Sequence, residues 1–169
     1  MNIFVVDSCP IVAAQSLCDV HVVKMTLETA QILSTVQSLT GTLDERLYRP
    51  THVNHPCTVW ARESKANYEW LYLHFVGLAD EYQYRYNKVH KSFQKLEEIL
   101  SHSPLSLSDS SMSPFAQAMP DECKRGCAVE AYRVYYGLKS STMPRFTYSH
   151  REKPEWLCPL ISSPINVHV

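Results

Sequence analysis

The stretch TVWARESKANYEWLYLHFVGLADEYQYRY, Thr58 to Tyr86, decides the fold. It contains no proline and a single glycine, Gly77, and eight of its residues are aromatic: Trp60, Tyr68, Trp70, Tyr72, Phe75, Tyr82, Tyr84 and Tyr86. An uninterrupted run of this length reads as one helix of about eight turns. So many rings cannot all face water, which makes this helix the spine of the molecule, with aromatic side chains buried on more than one side. Asn67, His74, Glu81 and Arg85 fall near one stripe with Leu71 and Leu78. Polar groups set into an apolar stripe need hydrogen-bond partners or a cavity.

The spine extends to other helices on both sides. Asp19 is placed to N-cap a helix running to Leu39, where Thr40-Gly41 ends it, and Val22, Met25, Leu33, Val36 and Leu39 form its apolar face. His21, Lys24, Glu28, Gln31 and Thr35 recur at steps of three and four on another face, which reads most simply as solvated. A short helix is expected over Pro10 to Leu17, preceded by an extended arm at Ile3 to Val6. Downstream, Lys88 to Leu100 reads as a helix, and the serine-rich segment Ser106 to Pro114 as a mobile loop. A last helix opens at Pro120-Asp121-Glu122 and runs to Gly137. The remaining tail, Lys139 to Val169, is irregular but carries too many aromatic residues for a disordered chain. The expected fold is all-α: one compact domain over residues 1–169 around the aromatic helix, with no internal repeat.

Composition narrows the function. Sixteen Lys and Arg against seventeen Asp and Glu give a net charge of −1 over 169 residues. A protein that grips a duplex backbone is usually basic, because neutralised phosphates supply most of the non-specific affinity. Residues 1–50 hold three Lys/Arg and five Asp/Glu, residues 51–100 six of each, and residues 101–169 seven and six. No run is long and apolar enough to span a bilayer, and the first residues carry no basic leader, so a cytoplasmic protein without membrane contact is expected. In that setting the six cysteines, Cys9, Cys18, Cys57, Cys123, Cys127 and Cys158, stay reduced and mostly serve as small buried hydrophobes. The spacings Cys123/Cys127 and His52/His55 suit a metal, yet nothing completes a ligand set, and no metal is expected.

Only four glycines occur, without a phosphate-binding loop or a Gly-x-Ser-x-Gly turn, so no dinucleotide or other cofactor is expected. Acid–base and amine chemistry remains. Glu28 lies two helical turns after His21, with Lys24 between them. That spacing suits a carboxylate stabilising an oxocarbenium-like or iminium centre while cations hold a phosphate. The loop residues Asn54 and His55 suit hydrogen bonding to a ligand, and Trp60, Tyr135 and Arg133 offer stacking faces and a phosphate donor.

Leu17-Cys18-Asp19-Val20-His21, with Glu28 seven residues after the histidine, resembles the first long helix of the phage pyrimidine-dimer DNA glycosylases of the endonuclease V type. That family carries Leu-x-Asp-x-His with its catalytic Glu at the same offset. Asn54-His55-Pro56 is similar to bacterial members of the wider family, and Pro120-x-Glu122 leading to Tyr132-Arg133-Val134-Tyr135-Tyr136-Gly137 to its aromatic C-terminal motif. The likeness runs in order over residues 1–139.

The resemblance implies an all-α enzyme whose N-terminal amine attacks the deoxyribose C1′ of a damaged nucleotide, forming an imine, with strand cleavage by elimination. Carried onto this chain, it makes Glu28 the catalytic carboxylate, His21 a substrate-positioning group, and Tyr135 and Tyr136 part of the segment that meets nucleic acid. Three features depart from it. The family exposes a Thr after Met removal, whereas Met1 here precedes the larger Asn2. Leu27 stands where the family has an Arg before its Glu, and the strong positive charge is missing. Two substrates therefore stay open: lesion-bearing DNA, with Asn2, His21 and Glu28 catalytic and Lys24, Asn54, His55, Trp60, Asn67, Arg133, Tyr135 and Tyr136 binding it, or a small nucleotide signal. The latter would be a cyclic dinucleotide or ADP-ribose derivative, bound or cleaved by a phage protein opposing host defence.

Overall fold

A computed structural model describes residues 1–157. Cys158 and the rest of the expected tail lie outside the described residues. The described chain is all-helical, with α1 Pro10–Gln15, α2 Asp19–Leu39, α3 Pro56–Ala61, α4 Lys65–Tyr86, α5 Lys91–Leu100 and α6 Ala128–Thr142, and single 3-10 turns at Asp121–Cys123 and Glu155–Leu157.

The aromatic spine is two helices rather than one. α3 stops at Arg62, and Ser64 takes an extended conformation and accepts a hydrogen bond from the Asn67 amide at 3.1 Å. A serine cap satisfies one orphan donor of the first turn, and this local bond outcompetes continuation of the helix. α4 then runs to Asn87, whose left-handed φ of 51° closes it, so α5 begins at Lys91, capped by the His90 imidazole, and not at Lys88. α4 packs on α1 and α2. Val22, Met25, Leu33 and Val36 of α2 and Tyr68, Leu71, Phe75 and Leu78 of α4 are all buried, whereas Leu39, expected in the core, is 46% exposed. Gly77 lets α1 approach: a Cβ there would sit 3.0 Å from the Ile11 side chain.

Asp19 is the first residue of α2 rather than its cap, which is Cys18. Its carboxylate is committed elsewhere. Arg85 of α4, whose side chain is fully buried, pairs with Asp19 at 2.9 Å and with Glu81 at 2.7 Å, and Arg151 reaches Glu81 at 2.6 Å. Thr147 and Ser149 donate to Asp19 as well, and the Asp19 amide donates to the Thr147 carbonyl. Burial pushes the Asp19 carboxyl up, but the Ser149 amide, the Thr147 hydroxyl and Arg85 outweigh it and hold it below its ordinary range. The described part of the tail is thus laced to the start of α2.

Of the other polar groups of the α4 stripe, Asn67 is fully occupied, whereas His74 uses Nδ1 and leaves its buried Nε2 without a hydrogen bond. Asn67 binds the Trp60 carbonyl and Ser113, and with the bond from the Lys65 amide to the Ser108 carbonyl it anchors both ends of the serine-rich segment expected to be mobile. The segment after it also differs from expectation. Pro120 precedes only one 3-10 turn, and α6 starts at Ala128, after Gly126, and continues past Gly137 to Thr142.

His74 meets the Pro10 carbonyl at 2.9 Å and stacks on Trp70. Burial pulls its pKa down to about 4, which the Pro10 and Ile3 carbonyls only partly offset, and burial together with Lys139 and Lys24 does the same to His21, also to about 4. Both rings are neutral in the folded state at pH 7. A histidine whose folded pKa lies below its unfolded 6.5 contributes stability that is complete above pH 6.5 and is lost as pH falls towards 4. Each costs about 2 kcal/mol at pH 5. Urea denaturation should therefore give a clearly lower midpoint at pH 5 than at pH 7.5; equal midpoints would contradict the burial of both rings as neutral groups.

Candidate active site

The polar stripe of α2 is not a solvated face. His21 and Thr35 are buried, Glu28 and Gln31 are half-buried, and only Lys24 is exposed. His21, Lys24 and Glu28 line a cleft of about 110 Å³ together with Met1, Asn2, Phe4, Met25, Tyr135 and Lys139. Glu28 is its hub. Its Oε2 accepts the backbone N–H of Asn2 at 3.0 Å and lies 3.8 Å from the Met1 amine, while Oε1 faces the Lys24 ammonium at 3.4 Å.

A hook in the first residues carries that amine to Glu28. The Asn2 side chain accepts from the Ile3 and Phe4 amides at 2.8 and 3.0 Å and donates to the Ala118 carbonyl at 2.8 Å. Phe4 has a φ of 39°, unusual for a bulky residue. Its ring is wedged between His21, stacked at 4.8 Å, and Tyr135, stacked at 6.0 Å. Backbone strain of this kind costs on the order of 1–3 kcal/mol and persists only where surrounding contacts over-determine it. Arg133 completes the hook by donating to the Val6 carbonyl at 2.9 Å, pairing with Asp7 at 3.4 Å and lying over Trp156.

The remaining candidates divide into three groups. Tyr136 stands behind His21, its hydroxyl 2.8 Å from Nδ1 and accepting from the Cys18 amide. His55 caps α3 through Nδ1, and burial, the N-terminal amine and His52 lower its pKa against the pull of Glu28, so it is sensitive to the charges of the cleft. Asn54 is exposed on the same loop, which is tied to α2 by Thr51 and Thr35. Trp60 and Asn67, by contrast, belong to the core: Trp60 is 2% exposed and packs against Trp70 and Phe115, and Asn67 is fully enclosed.

A family model of the pyrimidine dimer DNA glycosylases matches residues 1–95, more than half of the chain. The protein belongs to this family. No curated protein and no solved structure matches the chain. The match to the pyrimidine dimer DNA glycosylase family covers the first residues of the hook, α2, the Asn54-His55 loop and α4, so Asn2, Phe4 and Glu28 lie within it, while Ala118 and Arg133, which brace the hook, lie beyond it. Tyr135 and Lys139 come from α6, beyond the matched span.

Lys139, Phe4 and Met25 complete the cleft although nothing in the sequence singled them out. Lys139 was within reach of pattern reasoning, since it follows Tyr135 by four residues and shares its helix face. Its ammonium lies 4.8 Å from the Tyr135 ring centroid and 5.8 Å from that of Phe4. Phe4 carries no such signal, because its role depends on a backbone turn set by the Asn2 side chain. Among the described residues no group of three His, Cys, Asp or Glu side chains could hold a metal, and no helix is long and apolar enough to cross a membrane.

Proposed function

We propose that the protein is a DNA glycosylase with an associated lyase step, in which the α-amine at Met1, or at Asn2 once Met1 is removed, is the nucleophile and Glu28 the catalytic carboxylate. One observation carries this reading: the Met1 amine nitrogen and the Asn2 backbone nitrogen, at 3.8 and 3.0 Å, face the same Glu28 oxygen. Either nitrogen, as a free amine, would have a proton acceptor beside it.

The amine nitrogen attacks C1′ and the bond from C1′ to the base breaks, its electron pair leaving with the base, which takes up a proton. The nitrogen gives up a proton to Glu28, which passes it to O4′ as the bond from C1′ to O4′ breaks, so that opening of the sugar ring leaves a protonated imine between C1′ and the chain. Loss of a C2′ proton then expels the 3′ phosphate, and water hydrolyses the imine to free the amine. The Glu28 carboxylate offsets the positive charge that develops at C1′ and on the nitrogen. Neutral His21, held between Phe4 and Tyr136, positions the sugar and carries no charge of its own.

Borohydride reduction during turnover tests the mechanism. With an oligonucleotide carrying a lesion or an abasic site, the expected product is a covalent protein–DNA adduct at the first residue, located by mass spectrometry of the N-terminal peptide. Absence of an adduct, or an adduct on an internal lysine, would contradict the assignment.

A further inference from the structure

We infer that His21 and Lys139 form a subsite for the phosphodiester of the reacting nucleotide: the neutral His21 ring donates its Nε2–H to a phosphate oxygen, Lys139 supplies the cation, and Tyr136 is the positioning residue that fixes where the ring carries its hydrogen. This rests on the reading of the Glu28 cleft as the substrate site, and it names the group by which the sugar is held there.

Tyr136 decides the tautomer. It is fully buried, and its hydroxyl oxygen accepts the Cys18 N–H at 2.8 Å while lying 2.8 Å from His21 Nδ1. A phenol has one proton to give, and burial pushes the ionisation of Tyr136 far above its ordinary value, so at pH 7 that proton is present. If Nδ1 carried hydrogen, it and the Cys18 amide would both donate to the same oxygen. The phenolic proton would then be left with the Cys18 sulfur, a weak acceptor. Every group is satisfied when Tyr136 donates to a bare Nδ1. Because His21 is neutral at pH 7, its single ring hydrogen then sits on Nε2.

Nε2 is the free end of the ring. It makes no hydrogen bond among the described residues, and unlike the Nε2 of His74 it is not sealed inside the protein, since the ring lines the cleft. A fixed N–H without a protein acceptor points to an acceptor brought by the substrate. Its neighbours say which kind. Lys24 and Lys139 are the two lysines of the cleft, and Lys24 is spent on Glu28 at 3.4 Å. Lys139 forms no ion pair with a carboxylate among the described residues. Its ammonium lies 5.8 Å from the ring centroid of Phe4, on which His21 stacks at 4.8 Å, and its charge helps to keep the His21 ring neutral. An uncharged donor beside an unpaired cation suits an anionic oxygen, and the anion that a nucleotide brings is its phosphodiester. One cleft thus offers a carboxylate to the carbon that becomes positive and a cation to the phosphate joined to the same sugar.

Heteronuclear NMR of the imidazole nitrogens tests the tautomer in the parent protein at pH 7. Nε2 of His21 should carry the hydrogen and Nδ1 should be bare; the reverse pattern, or a charged ring, would overturn the inference. Tyr136→Phe should show hydrogen shared between the two nitrogens, and an unchanged tautomer there would take the positioning role from Tyr136.

Binding to a duplex with a central tetrahydrofuran abasic analogue tests the subsite. A neutral methylphosphonate at one of the two linkages flanking the analogue should weaken binding at least about tenfold, as loss of a hydrogen bond to a charged group does, and this loss should vanish in Lys139→Met. His21→Asn, whose amide nitrogen reaches only the position of Nδ1, should bind at least about tenfold more weakly than the parent, whereas His21→Gln, whose amide nitrogen reaches that of Nε2, should stay within about threefold. Salt separates the two partners. Lys139→Met should reduce the slope of log Kobs against log salt by about 0.9, with Lys139→Arg restoring it, while His21→Asn leaves the slope unchanged because a neutral donor displaces no counterion. Equal binding by His21→Asn and His21→Gln, an unchanged slope in Lys139→Met, or indifference to methylphosphonate at both linkages would each sink the subsite. The analogue cannot react, so binding of the expected kind without any borohydride adduct on a reactive duplex would refute the lyase mechanism alone. Adducts formed by a protein in which His21→Asn and His21→Gln are equivalent would refute the subsite alone.

Discussion

Glu28→Gln should leave a folded protein that cleaves lesion-bearing DNA at least about a hundredfold more slowly, as loss of a positioned acid–base group typically does. The amide preserves the shape of the side chain, and its oxygen can still accept the Asn2 N–H now bound at 3.0 Å. It can neither take a proton from the amine 3.8 Å away nor offset a cation developing at C1′. Stability should change little. The Glu28 side chain keeps 14% of its surface exposed, but its ion-pair partner Lys24 is 62% exposed, and a pair with one partner in solvent is worth on the order of 1 kcal/mol or less. Single-turnover cleavage measured beside urea denaturation separates the two effects. Cleavage within a few-fold of the parent would remove Glu28 from the chemistry.

Arg85→Met should have the opposite profile, costing about 3–5 kcal/mol of stability because two buried carboxylates lose their shared cation. The Arg85 side chain is fully buried and pairs with both Asp19 and Glu81, and it also donates to the Gln15 carbonyl. Arg151 stays with Glu81, and Thr147 and Ser149 stay with Asp19, but none of them lies between the two carboxylates. Such a loss is a large share of the roughly 5–15 kcal/mol that holds a domain of this size. Urea denaturation reads it directly, and a loss below about 1 kcal/mol would show that the network is replaceable.

The helical class and the α2 carboxylate were legible because both rest on short-range pattern. Cap and stop signals located α2 to within one residue at its start, where Cys18 rather than Asp19 is the cap, and the offset from His21 to Glu28 put both on one helix face. Continuity was less legible. The break between α3 and α4 turns on one serine, whose cap bond competes with a helix that every neighbouring residue favours. The solvated reading of the polar stripe failed for a tertiary reason: the first residues and α6 cover His21 and half-cover Glu28, and periodicity along one helix carries no information about what lies across from it. Trp60 and Asn67 were plausible ligand groups by type, but they lie where α3 meets α4 and spend their hydrogen bonds on Ser113. Lys139 completes the cleft from beyond the first hundred residues, and only the folded chain brings it there.

The hook also fixes when in the protein's synthesis the site can exist. Asn2 is made well before the groups that brace it, since its side chain is held by Ala118 and the Phe4 ring by Tyr135. A growing chain that already carries all of α2 and α4 still lacks the carbonyl and the ring that hold its start against Glu28. On the proposed mechanism the amine therefore stays unaimed until α6 has emerged and docked, so a nascent or prematurely terminated chain would carry Glu28 without the proposed nucleophile braced beside it.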